Sequence, residues 1–159
     1  MSSIAIRQAT KDDAPRLNEA LKALSIEIGD VHATTDRDLV EGGFEAAPAF
    51  EALLADRNGD LAGVIMFSPV YSTIRGSAGV YVSDLWVTPK ERGNGVGKRL
   101  LHSAMEAGKR KWKANFVKLA VYGNNAEARA FYHRLGFTPS EEHVLVLDEP
   151  AFNTRENQR

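Results

Sequence analysis

The stretch 92-RGNGVGKRLL-101 places three glycines within five residues and then runs into paired leucines. Glycines at the start of a helix free backbone N–H groups to approach an anion, and the helix dipole adds positive potential there. The stretch therefore has the makings of a phosphate cradle, and spacing decides which kind. A dinucleotide fingerprint counted from Gly93 and Gly95 requires a third glycine where Lys98 stands. A nucleoside-triphosphate loop around Gly97 and Lys98 requires a glycine where Arg92 stands and a Ser or Thr where Arg99 stands. Both readings fail on residue identity. What remains is a diphosphate held by backbone amides, or a glycine-rich turn that merely docks its helix.

Composition narrows the rest. The 159 residues make an ordinary domain, and a single domain spanning 1–159 is expected. With no cysteine, a disulfide framework, a thiolate metal site and a cysteine nucleophile are excluded. The net charge is −1, from 20 basic and 21 acidic residues, so nothing draws the chain globally to nucleic acid. The run 109-KRKWK-113 is read as a solvated helix end, where cations are favoured by the dipole. His32, His102, His133 and His143 show no metal-ligand spacing, and no metal is expected. No long apolar run is present, so the expectation is a cytoplasmic protein without a membrane partner.

The elements that must carry the loop follow from periodicity. Ile4 and Ile6 mark a short strand, and 10-TKDD-13 caps a helix whose apolar face is Leu17, Leu21, Leu24 and Ile28. Residues 29–35 read as loop and 36–44 as a second helix. Asn58-Gly59 joins strands 50–56 and 61–69 in a hairpin, and 80–89 is a third long strand closed by Pro89. A helix from Gly95 to about Lys113 buries Val96, Leu100, Ala104, Gly108 and Trp112. A strand over 116–122, a helix over 125–136 and a strand over 143–148 complete the chain, with a frayed polar tail from about 153. The order β-α-α-β-β-β-α-β-α-β implies an α/β (α+β) fold: a mixed, mostly antiparallel sheet of six to seven strands with helices on both faces.

Two segments in this order resemble the signatures of the GNAT superfamily of acetyl-CoA-dependent N-acetyltransferases. The first is 85-LWVTPKERGNGVGKRLL-101, with Arg92, Gly93, Asn94, Gly95, Val96 and Gly97 in the acyl-CoA motif. The second is 125-NAEARAFYHRLGF-137, with Asn125, Ala128, Phe131, Tyr132, Gly136 and Phe137. The pieces 6-IRQAT-10, 38-DLVEGGF-44 and 84-DLWV-87 are further similar to the spermidine/spermine branch. That branch usually carries Glu-Asp where this chain has Ser83-Asp84, which puts a polyamine acceptor in doubt.

The resemblance implies acetyl-CoA as co-substrate, a primary amine as acceptor and a homodimer. The backbone at Leu85, Trp86 and Val87 would pair with the pantetheine arm, beside a splay between the strands around residues 85 and 119. Loop 93–97, with Arg92, Lys98 and Arg134, would meet the phosphates, and Asn125 and Ala128 would contact the cofactor. Tyr132 would protonate the departing thiolate, with Phe131 in the core. A lysine-like amine has a pKa of about 10.4, so roughly one molecule in a thousand is neutral near pH 7 and a base is needed. Asp84 is the candidate for binding or deprotonating the amine, and Glu27 is a second group to grip it. Acceptors open at this stage include a diamine or polyamine, a protein N-terminus or lysine, an amino acid and an antibiotic amine. A non-catalytic acyl-CoA sensor would carry the same cradle.

Overall fold

The computed structural model describes residues 3–150. Two compact units emerge, Met1–Ala126 and Glu127–Arg159. The first holds the sheet, which has five strands in the order β1-β2-β3-β4-β5. They are β1 (Ala5–Gln8), β2 (Glu51–Arg57), β3 (Asp60–Ser72), β4 (Ser77–Val87) and β5 (Val117–Leu119). The first four pair antiparallel in sequence order, and β5 joins β4 in parallel. The helices of this unit are α1 (Ala14–Ile28), α2 (Asp36–Gly43) and α3 (Val96–Trp112).

Local chemistry explains these boundaries. Thr10 and Asp13 form a capping box over a short 3-10 turn that leads into α1, and Thr35 with Asp38 forms another at α2. The buried Asp13 also receives two hydrogen bonds from the Arg7 guanidinium, at 2.7 and 2.9 Å, which holds its carboxyl well below the usual range. The hairpin between β2 and β3 turns at Asn58 and Gly59, with φ of 53° and 83°, as the left-handed turn requires. Alternation then splits each strand between two cores. Leu54, Val64 and Met66 pack with Leu17, Leu21 and Leu39 under α1 and α2. Ile65, Phe67 and Val80 are buried on the other side, where α3 contributes Val96, Leu100 and Ala104.

Two expectations need correction. The expected strand 143–148 is absent, and Val144, Leu145 and Val146 are 77%, 91% and 82% exposed. A strand exists through its ladder, and these residues have no partner strand among the described residues. Among the described residues the sheet thus has five strands rather than six or seven. The strand expected over 116–122 is only Val117–Leu119, because its ladder to β4 ends there. In the second unit, the helix that begins at the end of the first, α4 (Ala126–Arg134), has no fully buried residue. The tail from about residue 153 lies outside the described residues.

Gly108, on the buried stripe of α3, shows how closely the helix lies on β4. A Cβ at Gly108 would overlap the side chain of Val80, which is fully buried and cannot give way. Alanine would gain about 1 kcal/mol of helix propensity there, but the overlap costs about 1–3 kcal/mol. Gly108→Ala is therefore expected to lower stability, by about 1 kcal/mol, in a urea unfolding titration.

Candidate active site

The site is built on a strand that loses one neighbour. β4 pairs with β5 only through Val80, Val82 and the residue between them, whereas on its other edge it follows β3 to Val87. Past Leu119 the chain leaves the strand, so among the described residues the 83–87 segment keeps one edge without a ladder partner. The ladder thus ends at the level where the splay is expected. At the same level a β-bulge interrupts the β3–β4 register: Phe67 faces Val82, Met66 faces Asp84, and Ser83 is the extra residue. The Ser83 hydroxyl contacts the Met66 carbonyl at 3.4 Å.

Asp84 sits just beyond the bulge, half-buried. Burial raises its carboxyl above the ordinary range, against the smaller opposing effects of the Ser83 hydroxyl and His32. It is not the solvated strand-edge acid that its residue type most often signifies. His32 comes from the loop after α1 and is fixed by a relay. The Asn18 amide donates to Asp36 at 2.8 Å, which leaves its oxygen to accept from Nε2–H of His32 at 2.7 Å. His32 carried no signal in the sequence beyond its place in a loop, so its position near Asp84 was not legible there.

The glycine loop follows β4 through a 3-10 turn at Pro89–Glu91. Its anchor is Glu91, a buried carboxylate that accepts from Arg57 at 2.9 and 3.2 Å. Arg57 holds that carboxyl below its usual range, with help from the Asn94 side chain. Gly93 and Gly95 adopt φ of 82° and 81°, and a Cβ on either would meet open space. Their need for glycine is thus conformational rather than a matter of crowding within the loop. Gly95 is the N-cap of the 17-residue α3, and no side chain caps that end. The first-turn N–H groups of Val96, Gly97 and Lys98 are left for an external acceptor, an arrangement that fits a diphosphate.

Two expected roles meet in one ion pair. Arg92 does not extend from the loop as a free cation. Its Nε donates to the Val87 carbonyl at 2.8 Å, and its Nη2 binds both oxygens of Glu27 at 2.7 and 2.8 Å. Glu27 also accepts from the Trp86 indole at 3.2 Å. The carboxylate expected to grip an amine and the guanidinium expected to meet phosphate neutralise each other. A second tie, between Tyr122 and Asp30, joins the loop after α1 to the segment after β5 at 2.9 and 3.0 Å.

In the second unit, Tyr132 lies between Phe131 and Phe137, at centroid distances of 5.1 and 5.4 Å. Burial pushes its phenol up to about 12. Phe131 and Tyr132 are both half-buried and in contact, so the expected division into one core ring and one free ring does not hold. Arg134 is exposed, and Asn125 donates its N–H to the Tyr122 carbonyl at 3.0 Å. Among the described residues, no cluster of His, Cys, Asp and Glu could hold a metal ion. Nor is any helix among them long and apolar enough to cross a membrane.

Comparison with known proteins agrees with this geometry. The Acetyltransferase (GNAT) family matches residues 17–137. Thialysine N-epsilon-acetyltransferase of Sus scrofa is 27% identical over 146 residues, covering 86% of this chain and 85% of its own. Spermine/spermidine N(1)-acetyltransferase of Bacillus subtilis is 27% identical over 81 residues, 50% of this chain and 53% of that protein. Among solved structures, aminoglycoside N-acetyltransferase AAC(6')-Iy in complex with CoA superposes with a TM-score of 0.77, at 20% identity, over 94% of this chain and 97% of that one. With both signature segments inside the matched span, and a glycine loop that opens an uncapped helix after a strand whose ladder to β5 ends at Val82, the chain belongs to the GNAT family of acetyltransferases, whose acetyl donor is acetyl-CoA.

Proposed function

We propose that this N-acetyltransferase moves the acetyl group directly from acetyl-CoA to the primary amine of a small aliphatic molecule. The observation that carries the reading is Asp84: an acid held half-buried just past a bulge, beside the unpaired edge of β4. A carboxylate there meets a cationic amine at the point where the sheet opens. Two curated relatives, named for thialysine and for spermine/spermidine, act on aliphatic amines by name. The single acid, where the polyamine branch has two, favours a lysine-like amine over a long polycation.

We assign the division of labour from the chemistry of the residues. Bound acetyl-CoA would supply an activated thioester carbonyl. The N–H groups from Gly93 to Lys98 hold its diphosphate, with Asn125, Ala128 and Arg134 as further contacts. The free edge at Leu85, Trp86 and Val87 offers backbone partners to the pantetheine arm as an added strand would. Asp84 binds the ammonium and accepts its proton, directly or through water, so that the neutral amine attacks. Tyr132, whose phenol stays protonated throughout the neutral range, returns a proton to the thiolate. A chain without cysteine performs the transfer in one complex rather than through an acetylated thiol.

The decisive experiment is acetyl-CoA-dependent thiol release over a panel of diamines, polyamines, lysine analogues, peptides and aminoglycosides. Turnover is expected with a short aliphatic amine, and turnover with peptides alone would overturn the acceptor class. Tyr132→Phe is expected to lower kcat roughly 10²-fold with CoA affinity preserved, and unchanged turnover across pH would remove it from the chemistry.

Asp84 also predicts a stability effect. Its folded pKa is raised, so the native state binds its proton more tightly and stability falls as pH rises from the unfolded to the folded value, then levels off. Asp84→Asn lacks that loss. It should melt at a higher temperature than wild type at pH 7–8, with the difference closing towards pH 4.

We also read the protein as a homodimer. Support comes from the apolar run Val144 to Leu147, whose last residue is still 55% exposed, a stretch better covered than wet. Sedimentation velocity should show a dimer, and Leu145→Asp with Val146→Asp should yield monomer.

A further inference from the structure

Four residues at the end of α1 touch both sides of the gap that β4 and β5 leave. On the β4 side, Glu27 accepts from the Trp86 indole at 3.2 Å and binds Arg92, whose Nε holds the Val87 carbonyl. On the β5 side, the Tyr122 hydroxyl donates to the Asp30 carboxylate at 2.9 and 3.0 Å. Between these anchors the helix stops at Gly29, whose φ of 74° turns the chain, and the Asp30 N–H donates back to the Ser25 carbonyl at 2.8 Å. Just beyond, His32 fastens the loop to Asn18 of α1. Tyr122 is itself held, since its carbonyl accepts from Asn125 N–H at 3.0 Å. Residues 27–30 thus form a strap with a fixed turn in its middle and a tie at each end.

We propose that this strap sets the width of the donor slot, with Asp30 and Tyr122 as positioning residues that hold its β5 lip for CoA. The inference rests on reading the gap between β4 and residues 120–122 as the place where the pantetheine arm lies. A sheet edge with no ladder has no hydrogen bonds of its own to fix its spacing, so something else must. The strap supplies that spacing before the donor arrives, and a ligand entering a preset slot does not have to order it. The tie is durable over pH. Its hydrogen bond to Asp30 and the charge of that carboxylate raise the Tyr122 phenol above the ordinary tyrosine range, so the donating proton remains in place through neutral conditions.

Isothermal titration of the full chain with CoA alone tests this without any acceptor. Tyr122→Phe and Asp30→Ala should each weaken CoA about three- to tenfold, the range for losing one ordinary hydrogen bond, since this tie to a charged group is exposed to solvent. The double variant should be no weaker than either single one, because both remove the same bond. Asp30→Asn keeps an oxygen that accepts from the phenol and should bind CoA within about twofold of wild type. A general loss of folding would depress all four variants together, and circular-dichroism melts of the unliganded proteins would reveal it. CoA affinity equal to wild type in Tyr122→Phe and Asp30→Ala, or tighter, overturns the strap and leaves the donor site standing. Asp30→Asn as weak as Asp30→Ala overturns the hydrogen bond as the cause. Failure of wild type to bind CoA overturns the slot and the strap together.

Discussion

A strand with one unsatisfied edge is the constraint on which the rest of this molecule depends. Backbone N–H and C=O groups removed from water need partners, and β4 finds them on both sides only as far as Val82. From there to Val87 its outer edge has no ladder partner among the described residues, and nearby side chains take up part of that role. Arg92 takes the Val87 carbonyl, and the Glu27–Trp86 contact braces the end of the strand. What is left over is a short run of oriented backbone at the level where Asp84 stands. A closed ladder would have made a more regular sheet with no place for a ligand.

The glycine loop is fixed by different means. Its backbone turns need left-handed angles, which give little intrinsic rigidity, so rigidity comes from outside the loop. The Arg57–Glu91 pair ties it to the end of β2, with both groups largely buried. Burying an ion pair is costly in isolation, and it contributes mainly by fixing one arrangement among several. Here the arrangement fixed is the direction in which α3 presents its uncapped amides. The glycine loop is therefore held by charge, and the segment around Asp84 by the packing of β4 against α1.

Much of this was legible in the residues. Periodicity located α1 and α3, Asn58-Gly59 located the hairpin, and counting around Gly93, Gly95 and Lys98 removed two kinds of phosphate loop. What was not legible is instructive. The exposed run at 144–147 has the composition of a buried strand, but composition cannot say whether a partner ladder is available. Glu27 and Arg92 sit 65 positions apart in the chain, and only the fold shows that each is the other's partner. The same holds for Asp30 with Tyr122 and for His32 with Asn18, contacts between loops whose residue types are common on any surface. Local patterns reveal elements and motifs, whereas pairings across the sheet depend on topology.

The bulge at Ser83 has a consequence for which way this strand faces. Before it, Val80 and Val82 share the side of the sheet that carries Phe67 and α3; after it, Asp84 stands opposite Met66, and Trp86 packs into the cluster under α1. Even-numbered residues thus face α3 in the first half and the side of α1, where Asp84 and Trp86 stand, in the second. The extra residue is a phase shift that lets one strand be a plank of the core and a wall of the site. Regular alternation through Ser83, with no bulge, would instead put Asp84 on the side of Val82, towards the apolar seat of α3, and the indole of Trp86 with it. Which side of the sheet Asp84 faces is accordingly decided by the register shift at Ser83, and not by the alternation of residue types along β4.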